Sequence, residues 1–433
     1  MSAATMSSPA AASSDISRGH GRVASAALRY GVSSFGPVAI SGAHFLASLM
    51  FLRAFSRTEF GLFSLLLTIV PFCLSISGAL VGASFARAAV HANDLGDGML
   101  ATHLKVSRLF SLVAGLIVFA LFHISDSGSP VDMLLGAYAG LMTLRWFARN
   151  VGYVQCAPLR VAMSDAVYAG ALVTGLLTLH AAHHFDATSA GLVLLVAAGA
   201  GLIALGRNYL AHTISPGSQG SLRAFGSVWR DLARWSVLGV CLTEVTVNAH
   251  AYFVTFVFGP ASFAVLAVGS LMLRPVVLVL SALPDLERPE MARRIAVGDG
   301  RGALRTVKEF RTAAGAVWFA TIMLAGAVMA WFPHLVLKHG YDESQVLIVL
   351  GLWAAITAVR LARTPESVLL QAAGQFQSLA GAGAWAAAAS LVVTIALALT
   401  FGPIASLGGI LFGDLVMTGR IFALSRRWKL RHV

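Results

Sequence analysis

The sequence has few charged residues and few cysteines for its length. Only 12% of its 433 residues are Asp, Glu, Lys or Arg, whereas 57% are hydrophobic and the mean hydropathy is +0.78. A water-soluble protein of this size needs far more polar surface. The three cysteines, Cys73, Cys156 and Cys241, lack metal-ligand spacing, and we expect buried thiols rather than disulfides. The scarcity of charge excludes an ordinary soluble domain.

Other absences exclude classes of function. No Walker A motif or nucleotide loop occurs, which excludes an ATP-driven pump for this chain alone. The loops expected outside the cell are short and hold no paired carboxylates for acid–base work, so an integral-membrane polysaccharide polymerase or ligase is the less favoured alternative. We therefore expect a protein that is not an enzyme. Residues 1–28 are rich in Ser and Ala without the apolar core of a signal peptide, and we expect a disordered cytoplasmic tail there.

Apolar runs of about 20 residues recur from end to end, each long enough to cross a bilayer as a helix. They predict an all-α polytopic membrane protein with twelve transmembrane helices in two six-helix lobes, spanning 29–215 and 216–425, before a basic cytoplasmic tail, 426–433. The predicted spans are 33–52, 61–84, 107–123, 131–151, 162–180, 188–207, 235–258, 261–283, 313–332, 344–362, 379–400 and 404–424.

The net charge of +12 is distributed unevenly over these spans. With the N-terminus in the cytoplasm, 24 of the 31 Lys and Arg residues lie on the cytoplasmic side, and only Arg53, Arg57 and Lys338 lie opposite. This asymmetry predicts cytoplasmic N- and C-termini. The basic residues therefore set the topology, and nucleic acid is not an expected partner.

The two halves of the chain resemble each other. Shifted by about 203 residues, Phe60 aligns with Phe263, and Gly96-Asp97-Gly98 aligns with Gly298-Asp299-Gly300. Further on, Arg145-x-x-x-Arg149 resembles Arg360-x-x-Arg363. Because each half has an even number of spans, the halves are parallel repeats, related by a pseudo-twofold axis along the membrane normal. A substrate site is expected between them.

The segment from Arg57 to Leu65, RTEFGLFSL, resembles the "E-x-G-x-F" start of a span in polysaccharide flippases. These form a family within the multidrug/oligosaccharidyl-lipid/polysaccharide exporter superfamily. The segment Phe258–Phe263 and the basic loop with Gly298-Asp299 are similar to that family's eighth span and following loop, although Pro260-Ala-Ser-Phe263 departs from the Gly often found there. The resemblance covers about 25–424.

The resemblance implies a bacterial inner-membrane flippase with a central cavity that opens alternately to either face. The implied cargo is an undecaprenyl-pyrophosphate-linked oligosaccharide for exopolysaccharide, capsule or O-antigen export, and the implied partners are membrane lipids and a polysaccharide polymerase or export machinery. A drug antiporter and a lipid-precursor flippase of the same superfamily are the alternatives.

An anionic, polar cargo needs cationic groups inside a cavity, and the planar guanidinium of Arg suits phosphate. The main candidate is Arg274, mid-span and followed by Pro275; its alternative is a structural ion pair with Glu244 or Asp414. The other intramembrane arginines are expected to form a basic vestibule or to snorkel, and Arg420 is expected to snorkel. The predicted cargo-binding residues are Arg274, Arg145, Arg149, Arg360 and Arg363.

Glu244 lies at bilayer depth with Asn248 one turn away on the same face. Such a pair could bind a proton or a sodium ion and couple its entry to transport, and a salt bridge to Arg274 is the alternative. The predicted coupling residues are Glu244, Asn248, His44 and Asp414. No cofactor and no metal site are predicted; the cluster of His180, His183, His184 and Asp186 is interpreted as a solvated turn.

Overall fold

The computed structural model describes residues 36–86, 97–126, 129–155, 157–206, 209–211, 220–336 and 341–432, and within them every regular element is a helix. The predicted N-terminal tail, Arg29 and Cys156 lie outside these residues. We number the helices in chain order: α1 Gly36–Ala54, α2 Arg57–Ala86, α3 Asp97–Asp126, α4 Pro130–Val154, α5 Pro158–Ala181, α6 Ala187–Ile203, α7 Phe225–Phe258, α8 Pro260–Met272, α9 Arg274–Ala296, α10 Gly300–Trp331, α11 Glu343–Ala372, α12 Phe376–Phe401 and α13 Ser406–His432.

The helices have the lengths and composition of membrane spans. Among the described residues nine are long and apolar enough to cross a bilayer, and α8 with α9 can form a tenth, broken span. Two further helices complete the set of twelve spans. Helix α4 has 25 residues, some of them charged, and α6 is an apolar helix of 17 residues. The prediction of an all-α protein with twelve spans in two lobes, α1–α6 and α7–α13, is confirmed. The chain is a multi-pass membrane protein.

The bundle has two chemically different ends. We call the end with the Lys- and Arg-rich segments 288–311 and 426–431 the basic end, and the other the far end. Three helices that start at the far end have side-chain caps: Ser56 and Glu59 form a capping box on α2, and Asp186 and Asp342 accept backbone N–H bonds at α6 and α11. These caps satisfy N–H groups that would otherwise be left unpaired where the helix begins.

The eighth predicted span, 261–283, is not one straight helix. It breaks at Leu273 into α8 and α9, whose axes differ by 60°. Pro275 explains the break, because proline lacks the backbone N–H that would bond the preceding turn and its ring clashes there. The residue placed at the bend is Arg274, the first residue of α9.

Several helices extend past the predicted spans at the basic end. Helix α3 begins at Asp97 rather than near 107, and α10 begins at Gly300 rather than near 313. At the same end of the bundle, α11 and α13 continue to Ala372 and His432. The hydropathy pattern marks only the apolar part of a helix, so these polar extensions were missed.

The two lobes pack together at the far end. One hydrophobic cluster there includes Phe51 and Phe60 from the first lobe and Phe263 and Trp353 from the second. A methyl group on Gly61 of α2 would overlap the carbonyl oxygen of Pro260, so α2 and α8 meet backbone to backbone. Smaller clusters lie towards the basic end: one within the second lobe, one within the first, and one that joins α2, α3 and α4 of the first lobe to the start of α7. The lobes are therefore in contact at both ends of the bundle.

Candidate functional site

In the N-terminal lobe, two arginines share one buried aspartate. Arg145 Nη2 donates to Asp165 Oδ1 at 2.6 Å, and Arg149 Nη2 donates to Asp165 Oδ2 at 2.8 Å. Arg145 Nε also donates to Ser164 Oγ at 3.3 Å, and its guanidinium lies 4.8 Å from the centre of the Tyr168 ring. The Arg145 and Asp165 side chains are 0% exposed. This triad is closed off from any cavity.

The C-terminal lobe contains a second triad of the same composition. Arg360 Nε donates to Asp414 Oδ2 at 2.7 Å, and Arg363 Nη2 lies 2.7 Å from Asp414 Oδ1. Asp414 is fully buried, but both arginine side chains are 15% exposed. Each triad carries two positive charges and one negative charge.

The two arginine pairs do not form the shared basic vestibule that the repeat suggested. Each pair is held inside its own lobe by its own carboxylate, so neither pair is a free cationic surface. Asp414, predicted as a coupling residue, is the acid that holds Arg360 and Arg363. Sequence reasoning missed Asp165 altogether. The available signal was an aspartate in an apolar span, next to a span with two arginines.

Arg274 differs from these four arginines. Among the described residues it has neither an ion pair nor a hydrogen bond, so the predicted alternative of a pair with Glu244 or Asp414 does not form. Its side chain lines a small inter-lobe cavity of about 70 Å³, together with hydroxyl side chains from both lobes. These are Ser48, Ser64, Thr68 and Ser270. The break between α8 and α9 thus places a cation beside hydroxyl groups where the lobes meet.

A larger cavity of about 570 Å³ lies between α7, α11, α12 and α13, with Ser75 of α2 on its rim. Arg363 and Glu244 both line it, with Ser236, Thr243 and Thr246 adding hydroxyl groups. The wall of this cavity therefore contains one arginine of the second triad, Arg363, and one carboxylate, that of Glu244. Apart from Ser75, all of its lining residues belong to the second lobe.

Glu244 has polar partners on its own helix. Tyr252 donates its hydroxyl hydrogen to Glu244 Oε1, and the Asn248 amide also bonds the carboxylate, as the sequence pair predicted. The side chain is half-buried and, within the described residues, has no cationic partner. A carboxylate held by neutral groups beside a cavity is chemically able to accept a proton or a cation.

His44 belongs to a hydrogen-bonded chain inside the N-terminal lobe. Its Nε2 lies 2.7 Å from the Tyr168 hydroxyl, which lies 2.9 Å from the Tyr138 hydroxyl. Tyr168 is also the ring under Arg145, so His44 connects through it to the first triad. His44 is buried and lines none of the cavities described above.

A third buried carboxylate, Glu366, lies near the basic end and was not predicted. Arg311 Nη2 and Lys429 Nζ donate to its Oε1 at 2.9 and 3.0 Å, and Ser425 donates its hydroxyl hydrogen to Oε2. These contacts join α10, α11 and α13. Glu366 lies beyond the predicted end of its span, near 362, and the sequence analysis did not consider it.

The far-end histidine cluster forms a turn. Asp186 accepts bonds from the backbone N–H groups of Thr188 and Ser189 and from the Ser189 hydroxyl, and these bonds lower the pKa of its carboxyl group. His180 packs edge-on against Phe185. In the part of the chain that the structure describes, no group of three His, Cys, Asp or Glu side chains is placed to hold a metal.

No protein-family model and no curated protein sequence matches the chain. Solved structures do match. An inward-facing multidrug resistance MATE family transporter of the MOP superfamily has a TM-score of 0.64 at 13% identity, over 92% of this chain and 98% of that one. The lipid II flippase MurJ, in an inward closed conformation, has a TM-score of 0.64 at 12% identity, over 90% of this chain and 87% of that one.

An outward-facing MATE transporter matches with a TM-score of 0.60 at 13% identity, over 93% of this chain and 95% of that one. At these identities the similarity is one of fold. The chain therefore has the fold of MOP-superfamily exporters, which confirms the superfamily resemblance at that level. The narrower resemblance to polysaccharide flippases stays a prediction.

Proposed function

We propose that this protein is a secondary transporter that moves anionic lipid-linked oligosaccharides across the bacterial inner membrane by alternating access. The cargo class is an undecaprenyl-pyrophosphate-linked repeat unit for exopolysaccharide, capsule or O-antigen. The single observation that carries the proposal is Arg274, a cation without an ion-pair partner in the described residues, beside hydroxyl groups where the two lobes meet.

Arg274 is suited to bind a phosphate of the cargo. An uncompensated guanidinium at bilayer depth is costly, so it is expected to face a partner, a ligand or a watery cavity. The planar guanidinium matches the oxygens of a pyrophosphate. The hydroxyl groups of Ser48, Thr68 and Ser270 donate to carbonyl oxygens of their own helices, so they make the cavity polar and leave Arg274 as its strong donor. The bend at Leu273 gives the helix a point about which α8 and α9 can rotate against each other.

The second triad supplies the remaining positive charge. Arg363 lines the 570 Å³ cavity, and its partner Arg360 is equally exposed at 15%. We assign these two to cargo binding. Arg145 and Arg149, which were predicted to share that role, are assigned to holding the N-terminal lobe together, because they are buried around Asp165.

Glu244 is proposed as the coupling group. Glu244 lines the same cavity as Arg363. When a proton or a sodium ion binds its carboxylate, the net charge of the cavity wall that faces the cargo becomes more positive. Asn248 and Tyr252 orient its carboxylate. His44 and Asp414, also predicted as coupling residues, have their own hydrogen-bonded partners and are assigned to support rather than to ion binding.

The topology follows from the charge asymmetry. We place the basic end and both termini in the cytoplasm, with lobes at 29–215 and 216–425. A polysaccharide polymerase or export machinery is the proposed partner. A cationic drug is a poor fit to two cavities of which one is lined by Arg363 and the other by Arg274.

The proposal is tested with purified protein in proteoliposomes loaded with a lipid-linked oligosaccharide, whose flipping is followed by a membrane-impermeant reagent. Arg274→Ala is expected to weaken cargo affinity by about 10-fold or more, since a hydrogen bond to a charged group contributes roughly 1.5–3 kcal/mol. Arg274→Lys should retain part of the activity. Arg420→Ala is the matched control, because Arg420 is exposed and stacks on Trp385, 5.4 Å from the ring centre.

Unchanged flipping by Arg274→Ala would refute the cargo role of this residue. A second arm uses lipid II in place of the oligosaccharide. Faster transport of lipid II than of every glycan-linked carrier would assign the protein to the lipid-precursor flippases. Transport of neither, with export of a cationic dye, would assign it to the drug antiporters.

A further inference from the structure

A deep groove runs along the outer surface of the N-terminal lobe. It has a volume of about 720 Å³ and is lined by α3 and α4, with Leu195 of α6. Apolar side chains form its walls, and Leu112, Leu116 and Met133 on its rims are more than half exposed. It shares no lining residue with the cavities that contain Arg274 and Arg363, so it is separate from both.

The floor of the groove is backbone. A Cβ atom added to Gly115 would lie 2.9 Å from the carbonyl oxygen of Gly136, and one added to Gly136 would lie 2.8 Å from the carbonyl oxygen of Gly115. A Cβ on Gly140 would lie 3.0 Å from the carbonyl oxygen of Ser111. The three glycines let α3 and α4 approach closely, and the missing side chains leave a channel above the contact.

Two polar side chains lie at the basic end of this channel. Arg108 lines the groove, is exposed, and has no ion-pair partner among the described residues. Ser111 also lines it, is only 6% exposed, and its hydroxyl has no hydrogen-bond partner. By contrast, the hydroxyl of Ser48 donates to the carbonyl four residues earlier in its helix. Ser111 is therefore a buried donor left free for a ligand.

The spacing of these two groups fits a lipid headgroup. Residues three apart on a helix have Cβ atoms about 5–6 Å apart on one face. That is the scale separating a phosphate from the ester carbonyl of the glycerol backbone next to it. Arg108 also begins the predicted apolar run 107–123, which places it at the headgroup level of the bilayer on the basic side.

We propose that this groove binds one anionic phospholipid of the surrounding bilayer. Its phosphate accepts from the Arg108 guanidinium, an ester carbonyl accepts from the Ser111 hydroxyl, and one acyl chain lies along the glycine floor. From Arg108 to Phe119 the groove runs about 16 Å along α3. That length suits an ordinary acyl chain, whereas a long polyprenyl chain would extend well beyond it.

Lipid binding to the full-length protein in detergent is measured by native mass spectrometry, with dissociation constants from titration. The probes are phosphatidylglycerol, phosphatidylcholine with the same acyl chains, and undecaprenyl phosphate. Phosphatidylglycerol is expected to bind most tightly. Arg108→Gln should weaken it by about 10-fold or more, and Ser111→Ala by about 5-fold, the usual effects of losing a charged and a neutral hydrogen bond.

Filling the groove provides an independent variant. Ala137→Trp places a ring over the channel from its exposed lining position on α4 and should also displace the lipid. Arg160→Gln and Ala388→Trp are matched controls, because both residues are exposed and lie outside the groove. These controls should bind phosphatidylglycerol as the unmodified protein does.

Three results would overturn the proposal. Equal affinity for the two phospholipids would overturn the preference for an anionic headgroup, and unchanged binding by Ala137→Trp would place the lipid elsewhere. Tighter binding of undecaprenyl phosphate, lost in Arg108→Gln, would make the groove a cargo site instead. The flipping assay with Arg274→Ala does not depend on any of these outcomes.

Discussion

The N-terminal triad allows a quantitative test of how this lobe is held together. Replacing Asp165 by Asn removes the single negative charge between two buried arginines and retains the side-chain shape. The Arg145 and Asp165 side chains are 0% exposed and Arg149 is 4% exposed, so water cannot replace the lost carboxylate without opening the lobe. Removing one partner of a buried ion pair costs about 3–5 kcal/mol, because it leaves an uncompensated charge. Here two like charges remain side by side.

The matched variant is Asp414→Asn in the other lobe. Arg360 and Arg363 are each 15% exposed, and Arg363 lines a cavity that water can enter. Hydration can therefore offset part of the loss, and the expected destabilisation is about 1–3 kcal/mol, near that of losing charged hydrogen bonds. The prediction is a ranking: Asp165→Asn destabilises the protein more than Asp414→Asn.

The assay is denaturant titration of the purified protein in mixed micelles, with tryptophan fluorescence as the signal. If Asp165→Asn cannot be purified, the charge-free variant Arg145→Met/Arg149→Met/Asp165→Leu provides the test. Well-packed apolar replacements of a buried ionic cluster are often neutral or stabilising, so this variant should fold with near-normal stability. An equal loss for the two aspartates, or a triple variant as unstable as Asp165→Asn, would refute the reasoning.

Three further predictions concern coupling, closure and pH. Glu244→Gln should leave a folded protein whose flipping rate no longer responds to a proton or sodium gradient, measured in proteoliposomes; a retained response would contradict the coupling role. Gly61→Ala should push α2 from Pro260 and open the far end, lengthening inter-lobe distances measured between spin labels. Asp186→Ala should cost about 1 kcal/mol at neutral pH, as a lost helix cap does. Because folding lowers the Asp186 pKa, that stabilisation is present above pH about 4 and is lost as pH falls through the lowered value, so urea titrations of the two proteins should converge in acid.

Hydropathy was sufficient to predict the architecture, because a bilayer leaves few structures that satisfy every backbone polar group. It located twelve spans, the two lobes and the mid-span position of Arg274. It failed where polarity changes within a helix: α3 and α10 begin about ten residues before their apolar runs. Pro275 was recognised as a weak point, but the 60° bend depends on packing that the sequence does not specify.

The site was harder to predict, because ion pairs depend on which helices become neighbours. The sequence identified Arg145, Arg149, Arg360 and Arg363 as intramembrane or helix-end cations, but it offered no means of deciding their partners. Glu244 differs from the arginines, because its hydrogen-bond partners lie on its own helix. Its Asn248 partner lies one turn away and was predicted, whereas Tyr252 lies two turns away on the same helix and was not considered.

The triads also show what the duplication preserved and what it did not. Both arginine pairs lie on equivalent helices, the fourth span of each lobe, α4 and α11. The carboxylates that bind them lie on helices that are not equivalent. Asp165 is on the fifth span of the first lobe, and Asp414 is on the last span of the second. The repeat therefore accounts for the cations, while the acids are placed independently. Among the cavities described, only the second arrangement contributes an arginine, Arg363, to a cavity wall.

The helix that carries Asp414 has a further connection. Helix α13 also carries Ser425 and Lys429, which bind Glu366 near the basic end, about 16 Å along the same axis from Asp414 to Ser425. A displacement of α13 that moves Asp414 away from Arg363 would therefore also disturb the Glu366 contacts. If the proposed cargo phosphate competes with Asp414 for Arg363 in the cavity, it acts on the same helix that carries the ion pairs at the basic end. Under the proposed function, α13 therefore offers a direct physical route from cargo binding to a rearrangement of the basic end.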